Sequence, residues 1–178
     1  NLTMSIEGFY NSNSNNMISD SIRVYLRNTN SPYSTTDSAT GIISASGNIS
    51  LNFNNTVSGQ YYIVIKHRNS IETWSRQGGE SITSGNVVSY NFSDQITKAF
   101  GNNMKQVDNS PIRFANFSGD INQDGTIDAS DMSIVENDAG IVLTGYVKSD
   151  VTGDNFVDAE DISVIDNNVE KGVIAITP

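Results

Sequence analysis

Asp120-Ile121-Asn122-Gln123-Asp124-Gly125-Thr126-Ile127-Asp128-Ala129-Ser130-Asp131 decides the fold of this chain. Oxygen-bearing side chains fall at positions 1, 3, 5, 9 and 12 of the stretch, with glycine at 6. Calcium is a hard cation that takes about six to eight oxygens. A twelve-residue loop of this spacing wraps it with side chains from 1, 3 and 5, a backbone carbonyl from 7, a water-mediated contact from 9 and a carboxylate from 12. Thirty residues later, Asp150-Val151-Thr152-Gly153-Asp154-Asn155-Phe156-Val157-Asp158-Ala159-Glu160-Asp161 repeats the carboxylates at 1, 5, 9 and 12. The expectation is two calcium ions. Asp120, Asn122, Asp124 and Asp131 would ligate the first directly, with the Thr126 carbonyl and with Asp128 through water. Asp150, Thr152, Asp154, the Phe156 carbonyl, Asp158 and Asp161 would hold the second. Asn155 replaces glycine where a left-handed backbone is needed, and Thr152 offers only a neutral hydroxyl, so the second loop is expected to bind more weakly.

Each loop runs directly into a stretch of helical periodicity, with apolar residues at Met132, Ile134 and Val135 and at Ile162, Val164 and Ile165. The order of loop then helix, with no helix entering the loop and with Asp at position 12, resembles a type I dockerin over about residues 119–172. The resemblance implies two EF-type loop-helix units paired around a pseudo-twofold axis, in a bacterial secreted or surface protein, and a surface that docks onto cohesin domains. Cohesin-binding members commonly carry Ser-Thr-like pairs at positions 10 and 11 and basic residues further along the helix. This chain has Ala129-Ser130 and Ala159-Glu160, followed by Glu136-Asn137 and Asp166-Asn167.

Charge divides the chain at the same place. Residues 1–118 hold eight Lys and Arg against seven Asp and Glu, whereas residues 119–178 hold two against thirteen, a net of −11. Two calcium ions would cancel four of those charges, so this segment is expected to need metal to fold. The acidity argues against a nucleic-acid partner. There is no cysteine, no apolar run long enough to span a membrane, and no initiating methionine, which reads as a mature, exported chain at the cell surface or outside the cell.

Residues 1–118 read as an all-β domain. Ile22, Val24 and Leu26 alternate with polar or larger neighbours, as do Ile49, Leu51 and Phe53. Residues 61–66 suit a central strand, 87–92 and 112–117 supply two more, and weaker runs lie at 41–46 and 71–74. With the N-terminal run this makes seven or eight strands, enough for an immunoglobulin-like sandwich, while 95–104 reads as a short helix or irregular crossing. The fold class is thus mostly β: an immunoglobulin-like β-sandwich (1–118) followed by a small α dockerin-like domain (119–178) with two EF-type calcium loops. Gly119 opens the second domain with almost no linker, so the two are expected to pack together.

Leu2, Met4 and Ile6 alternate with Thr3, Ser5 and Glu7 and give the first strand (within 1–10) one apolar face. It is either an ordinary strand of its own sandwich or a strand donated to a neighbouring subunit across a polar hinge at Asn11–Asn16. The chain offers no catalytic constellation. Its one histidine, His67, has no evident nucleophile or orienting acid beside it, and Glu7, Glu72 and Glu80 have no reason to pair. The reading that combines these features is a non-enzymatic structural subunit polymerising with itself into a surface fibre or pilus through Leu2, Met4 and Ile6. The alternative is an accessory module that docks cohesin or binds carbohydrate, with Trp74, Tyr61, Tyr62 and Tyr90 as candidate sugar-stacking residues. Asn-x-Ser/Thr triplets at Asn1, Asn48, Asn54, Asn91 and Asn116, and the Asp-Ser-apolar triplets at Asp20 and Asp37, could take glycans.

Overall fold

The computed structural model describes all residues from Asn1 to Pro178. Its elements in chain order are β1 (Leu2–Thr3), β2 (Tyr10–Asn11), β3 (Asn16–Met17), β4 (Asp20–Asn28), β5 (Thr35–Ile43), β6 (Asn48–Ile49), β7 (Gly59–His67), β8 (Ser70–Trp74), β9 (Glu80–Ile82), β10 (Tyr90–Asn91), β11 (Lys105–Asn109), β12 (Ile112–Ala115), α1 (Ala129–Gly140) and α2 (Ala159–Glu170). β5, β4, β7 and β8 form one sheet in that order, with β9 also paired to β7. A small second sheet runs β10-β1-β6, and hairpins β2-β3 and β11-β12 close the ends. The architecture is a β-sandwich followed by a small helical module.

Alternation explains the main sheet. Tyr61, Ile63 and Ile65 of β7 enter the core between the sheets, together with Ile22, Val24 and Leu26 of β4. Tyr62 and Val64 point to the opposite face and join Trp74, Tyr25, Tyr33 and Phe100 in a second, aromatic cluster. Both faces of the central strand are therefore buried, as its continuous apolar run predicts. The aromatics pack edge to face, with Tyr62 and Trp74 centroids 5.5 Å apart, and Arg27 lies 4.9 Å over the Trp74 ring. Trp74 is only 3% exposed and Tyr61, Tyr62 and Tyr90 are buried as well, so the sugar-stacking platform is not formed.

The N-terminal strand also differs from expectation. Leu2, Met4 and Ile6 are buried in the core of their own sandwich. Leu2–Thr3 pairs antiparallel with Asn48–Ile49 and parallel with Tyr90–Asn91, the Met4 amide donates to the Gly47 carbonyl, and Ile6 bridges Asn116. Three buried apolar side chains and a two-sided ladder leave nothing to donate, so the alternating pattern belongs to an ordinary inner strand. The expected hinge at 11–16 is the turn of the β2-β3 hairpin, with Tyr10 opposite Met17. Residues 50–53 and 87–89 are irregular rather than strand, and 96–102 forms two 3-10 turns.

Candidate calcium module and its junction with the sandwich

Each calcium-type loop is shaped by its own aspartates. Asp128 caps α1, its carboxylate accepting the Ser130 amide at 2.7 Å, while Asp131 reaches back to the Asp128 amide at 3.1 Å. Asp158 and Asp161 do the same for α2, with the Glu160 amide at 2.8 Å and the Asp158 amide at 3.0 Å. Loop positions 9 and 12 are thus also the two halves of a helix capping box, and their negative charge suits the helix N-terminus. Position 6 takes the left-handed backbone in both loops, Gly125 at φ +89 and Asn155 at φ +70. Position 4 does too, at Gln123 (φ 64) and Gly153 (φ 81), a requirement the spacing did not reveal.

The two units are joined crosswise. The Ile127 amide of loop 1 donates to Val173 beyond α2 and the Ala175 amide returns to Gly125; the Val157 amide of loop 2 donates to Leu143 beyond α1 and the Gly145 amide returns to Asn155. Adding thirty to the loop 1 residues and subtracting thirty from their partners gives the second set, so the two units exchange bonds as a pseudo-twofold pair. The shared core follows it: Ile121 with Val151, Ile127 with Val157, Val135 with Ile165.

Asp120, Asp131, Asp150 and Asp161 are buried in the loops, while Asn122, Asp124, Asp128, Asp154 and Asp158 lie toward their rims. No three acidic side chains converge on one point. The carboxylates instead accept backbone amides: Asp131 takes Ile121 and Asn122 at 2.8 and 3.1 Å, Asp161 takes Val151 and Thr152 at 2.8 and 3.0 Å, Asp124 takes Thr126 at 2.9 Å and Asp154 takes Phe156 at 2.9 Å. The hard oxygen donors of loop 1 nevertheless suit a divalent cation. Asp120 is 2% exposed, and its Oδ1 has no hydrogen-bond partner. Burial pushes its carboxyl pKa up to about 6, and the neighbouring Asp131 and Asp124 charges add to the rise. Burial raises Asp161 also. Buried, mutually repelling carboxylates with a free lone pair are what a divalent cation relieves.

The sandwich is built into this module. Ile71 of β8 is fully buried in the module's core, its amide donating to the Phe117 carbonyl at 2.9 Å. Asn168 of α2 is buried and donates to Glu7 Oε2 at 2.7 Å and to the Ser118 carbonyl at 2.8 Å; Glu7 also accepts the Ser118 amide at 3.1 Å and binds Lys105. At the β7-β8 turn, Asn69 donates to the Lys148 and Asp150 carbonyls at 3.0 and 2.7 Å. Arg68 donates to Asp20 at 2.9 Å, to the Val147 carbonyl and to Asp150 at 3.2 Å. None of these sandwich residues carries a sequence signal, because each acts across a separation of many residues.

His67 sits in the same junction, with Ser70 Oγ 3.1 Å from Nδ1 and Asp20 Oδ2 3.2 Å from Nε2. The trio has the membership of a catalytic triad, but all three residues are buried and His67 is only 3% exposed, so no substrate reaches it. Burial lowers the His67 pKa against the opposing hydrogen bond that Nε2 donates to Asp20. The imidazole is therefore a neutral structural bridge.

The chain is thus a β-sandwich fused without a linker to paired loop-helix units. Residues 118–170 match the model of the dockerin type I domain, a family whose members bind calcium. A chain from the crystal structure of a type II cohesin–X–dockerin complex of Acetivibrio cellulolyticus, a C-terminal interface mutant, superposes with a TM-score of 0.57 at 14% identity, covering 98% of this chain and 95% of that one. A chain from the N-terminal interface mutant of that complex gives a TM-score of 0.50 at 18% identity, covering 83% and 79%. No curated protein matches. These similarities overturn the expected homopolymer. The dockerin-like structures come from complexes with cohesin, and the strand that would have joined subunits is internal here.

Proposed function

We propose that this chain is a non-enzymatic, extracellular docking unit, in which residues 119–178 form a calcium-loaded dockerin-like module and residues 1–118 a sandwich that braces it, and that its partner is a cohesin-like domain. The observation that carries the reading is the dockerin type I match over 118–170. The likeness of fold across both domains to a chain of a cohesin–X–dockerin complex supports it. Two ions would be held by Asp120, Asn122, Asp124, Thr126, Asp128 and Asp131 and by Asp150, Thr152, Asp154, Phe156, Asp158 and Asp161. Bound calcium would supply the positive charge that lets each set of carboxylates close. The chain's own residues do the rest: the capping boxes fix where α1 and α2 start, and the crosswise amides fix their relative orientation.

The outward faces of the helices carry Ser133, Glu136 and Asn137 on α1 and Ser163, Asp166 and Asn167 on α2, all exposed. An acidic, amide-rich face suits a partner with basic and hydrogen-bonding groups. No helix is long and apolar enough to cross a membrane. The test is biolayer interferometry of the full chain against type I and type II cohesin domains, in calcium and after chelation. Binding in calcium that is lost on chelation, and weakened by Glu136→Lys or Asp166→Lys, is the expected result. Absence of binding to every cohesin type, or binding indifferent to calcium, refutes it.

A further inference from the structure

The two loops repeat each other closely, yet their position-1 carboxylates have different neighbours. Asp120 of loop 1 has an unpartnered Oδ1 and no cation beside it. Asp150 of loop 2, equally buried, has its Oδ2 3.2 Å from Arg68 Nη2, a side chain that comes from the sandwich. Arg68 is held from every side. Its Nε donates to Asp20 at 2.9 Å, its Nη1 donates to the Val147 carbonyl, and its guanidinium lies 4.5 Å over the Tyr146 ring and 5.3 Å over Phe9. Tyr146 in turn donates to Asp20 at 2.6 Å. Asn69 next to it fixes the Asp150 carbonyl at 2.7 Å, so side chain and backbone of this residue are both clamped by one turn. The turn meets loop 1 through the Gln123 side-chain amide, 3.4 Å from the Ser70 carbonyl, and just before the loop through the Gly119 amide, 2.7 Å from the Asn69 carbonyl, and neither contact brings a charge.

We propose that Arg68 is a built-in counter-charge for loop 2: it satisfies Asp150 and keeps that loop folded against the sandwich before calcium binds, leaving loop 1 as the loop whose folding depends on the ion. This rests on the reading of both loops as calcium sites. A fixed cation and a divalent ion compete for the same carboxylate, so the arrangement makes loop 2 stable without calcium at the expense of calcium affinity.

Thermal unfolding of the full chain in saturating calcium and in chelator tests this, read as the gap between the two melting temperatures. Arg68→Gln keeps a hydrogen-bond donor and removes the charge. Calcium can replace that charge on Asp150 but chelated protein cannot, so the gap widens by roughly 3 °C or more. In calorimetric titration, the site that survives Asp120→Asn tightens about fivefold when Arg68→Gln is added. Arg68→Lys, which keeps the charge and loses the fork of hydrogen bonds, lowers both melting temperatures and leaves the gap as in the wild type. If Arg68→Gln lowers both temperatures equally, narrows the gap, or remains unfolded in saturating calcium, Arg68 is a clip between domains and not a counter-charge. A wild-type chain with no gap at all refutes the calcium reading itself and the proposal with it.

Discussion

Replacing Ile71 with alanine tests whether the sandwich and the calcium module are one folding unit. Ile71 belongs to β8 of the sandwich but is fully buried among Ile121, Ile127, Val135, Val151 and Ile165 of the module. Alanine removes three carbons, and at about 0.8 kcal/mol per buried methylene the lost transfer energy is about 2.4 kcal/mol. A residual cavity of roughly 60 Å³ adds about 1.5 kcal/mol at about 24 cal/mol per Å³. The loss of about 4 kcal/mol corresponds to a fall of about 10 °C in melting temperature for a chain of this size. Scanning calorimetry of the calcium-loaded chain should show one transition in both proteins, displaced downward in the variant with equal calorimetric and van't Hoff enthalpies. Two resolved transitions, of which only one moves, would refute the reasoning. So would a shift below about 2 °C, which would mean that Ile71 contributes little to the module's core.

Three further outcomes follow from the same geometry. Asp120→Ala should weaken calcium binding in a titration far more than Thr152→Ala, by about tenfold or more against a few-fold, because it removes a charged ligand rather than a neutral one. Gly153→Ala should destabilise the chain by about 2 kcal/mol in chemical unfolding, since its φ of +81 disfavours a side chain and a Cβ there would lie 2.5 Å from the Phe9 ring. In acid, burial alone would raise Asp20, but hydrogen bonds from His67, Tyr146 and Arg68 hold it well below the usual carboxylate range, while burial lowers His67. Both groups bind fewer protons folded than unfolded. Their contribution is therefore whole above the unfolded histidine value of 6.5, and denaturant titrations should show it declining below that pH and falling again below the unfolded aspartate value of 3.8.

What the sequence shows and what it hides separate by range. The loops were legible because their determinants lie within twelve residues, and the helices because a capping box and an apolar stripe follow at once. The central strand was legible from Tyr61 to Lys66, and its alternation sends Tyr61 and Tyr62 into different clusters. Trp74 could be offered as a sugar-stacking candidate because its cover, Tyr33, comes from a distant turn that no local spacing reveals. Leu2, Met4 and Ile6 show why a pattern of period two cannot name its partner: it specifies a buried face and is silent about which chain buries it. Arg68, Asn69 and Glu7 look like ordinary surface residues in sequence. Only the docking of loop 2 onto Arg68 and Asn69 of the β7-β8 turn, and of Asn168 in α2 onto Glu7, gives them work, and no local spacing encodes those contacts.

The crosswise joining of the two loops sets an order of assembly during synthesis. Loop 2 closes on Leu143 and Gly145, which have already left the ribosome when Val157 appears. Loop 1 closes on Val173 and Ala175, nearly fifty residues downstream of Ile127 and Gly125. The first-made loop is therefore the last to be completed, because the Ile127 amide and the Gly125 carbonyl have no partner until the chain reaches Ala175. A truncation after Glu170, where the domain match ends, would keep every ligand of loop 1 and still leave it open.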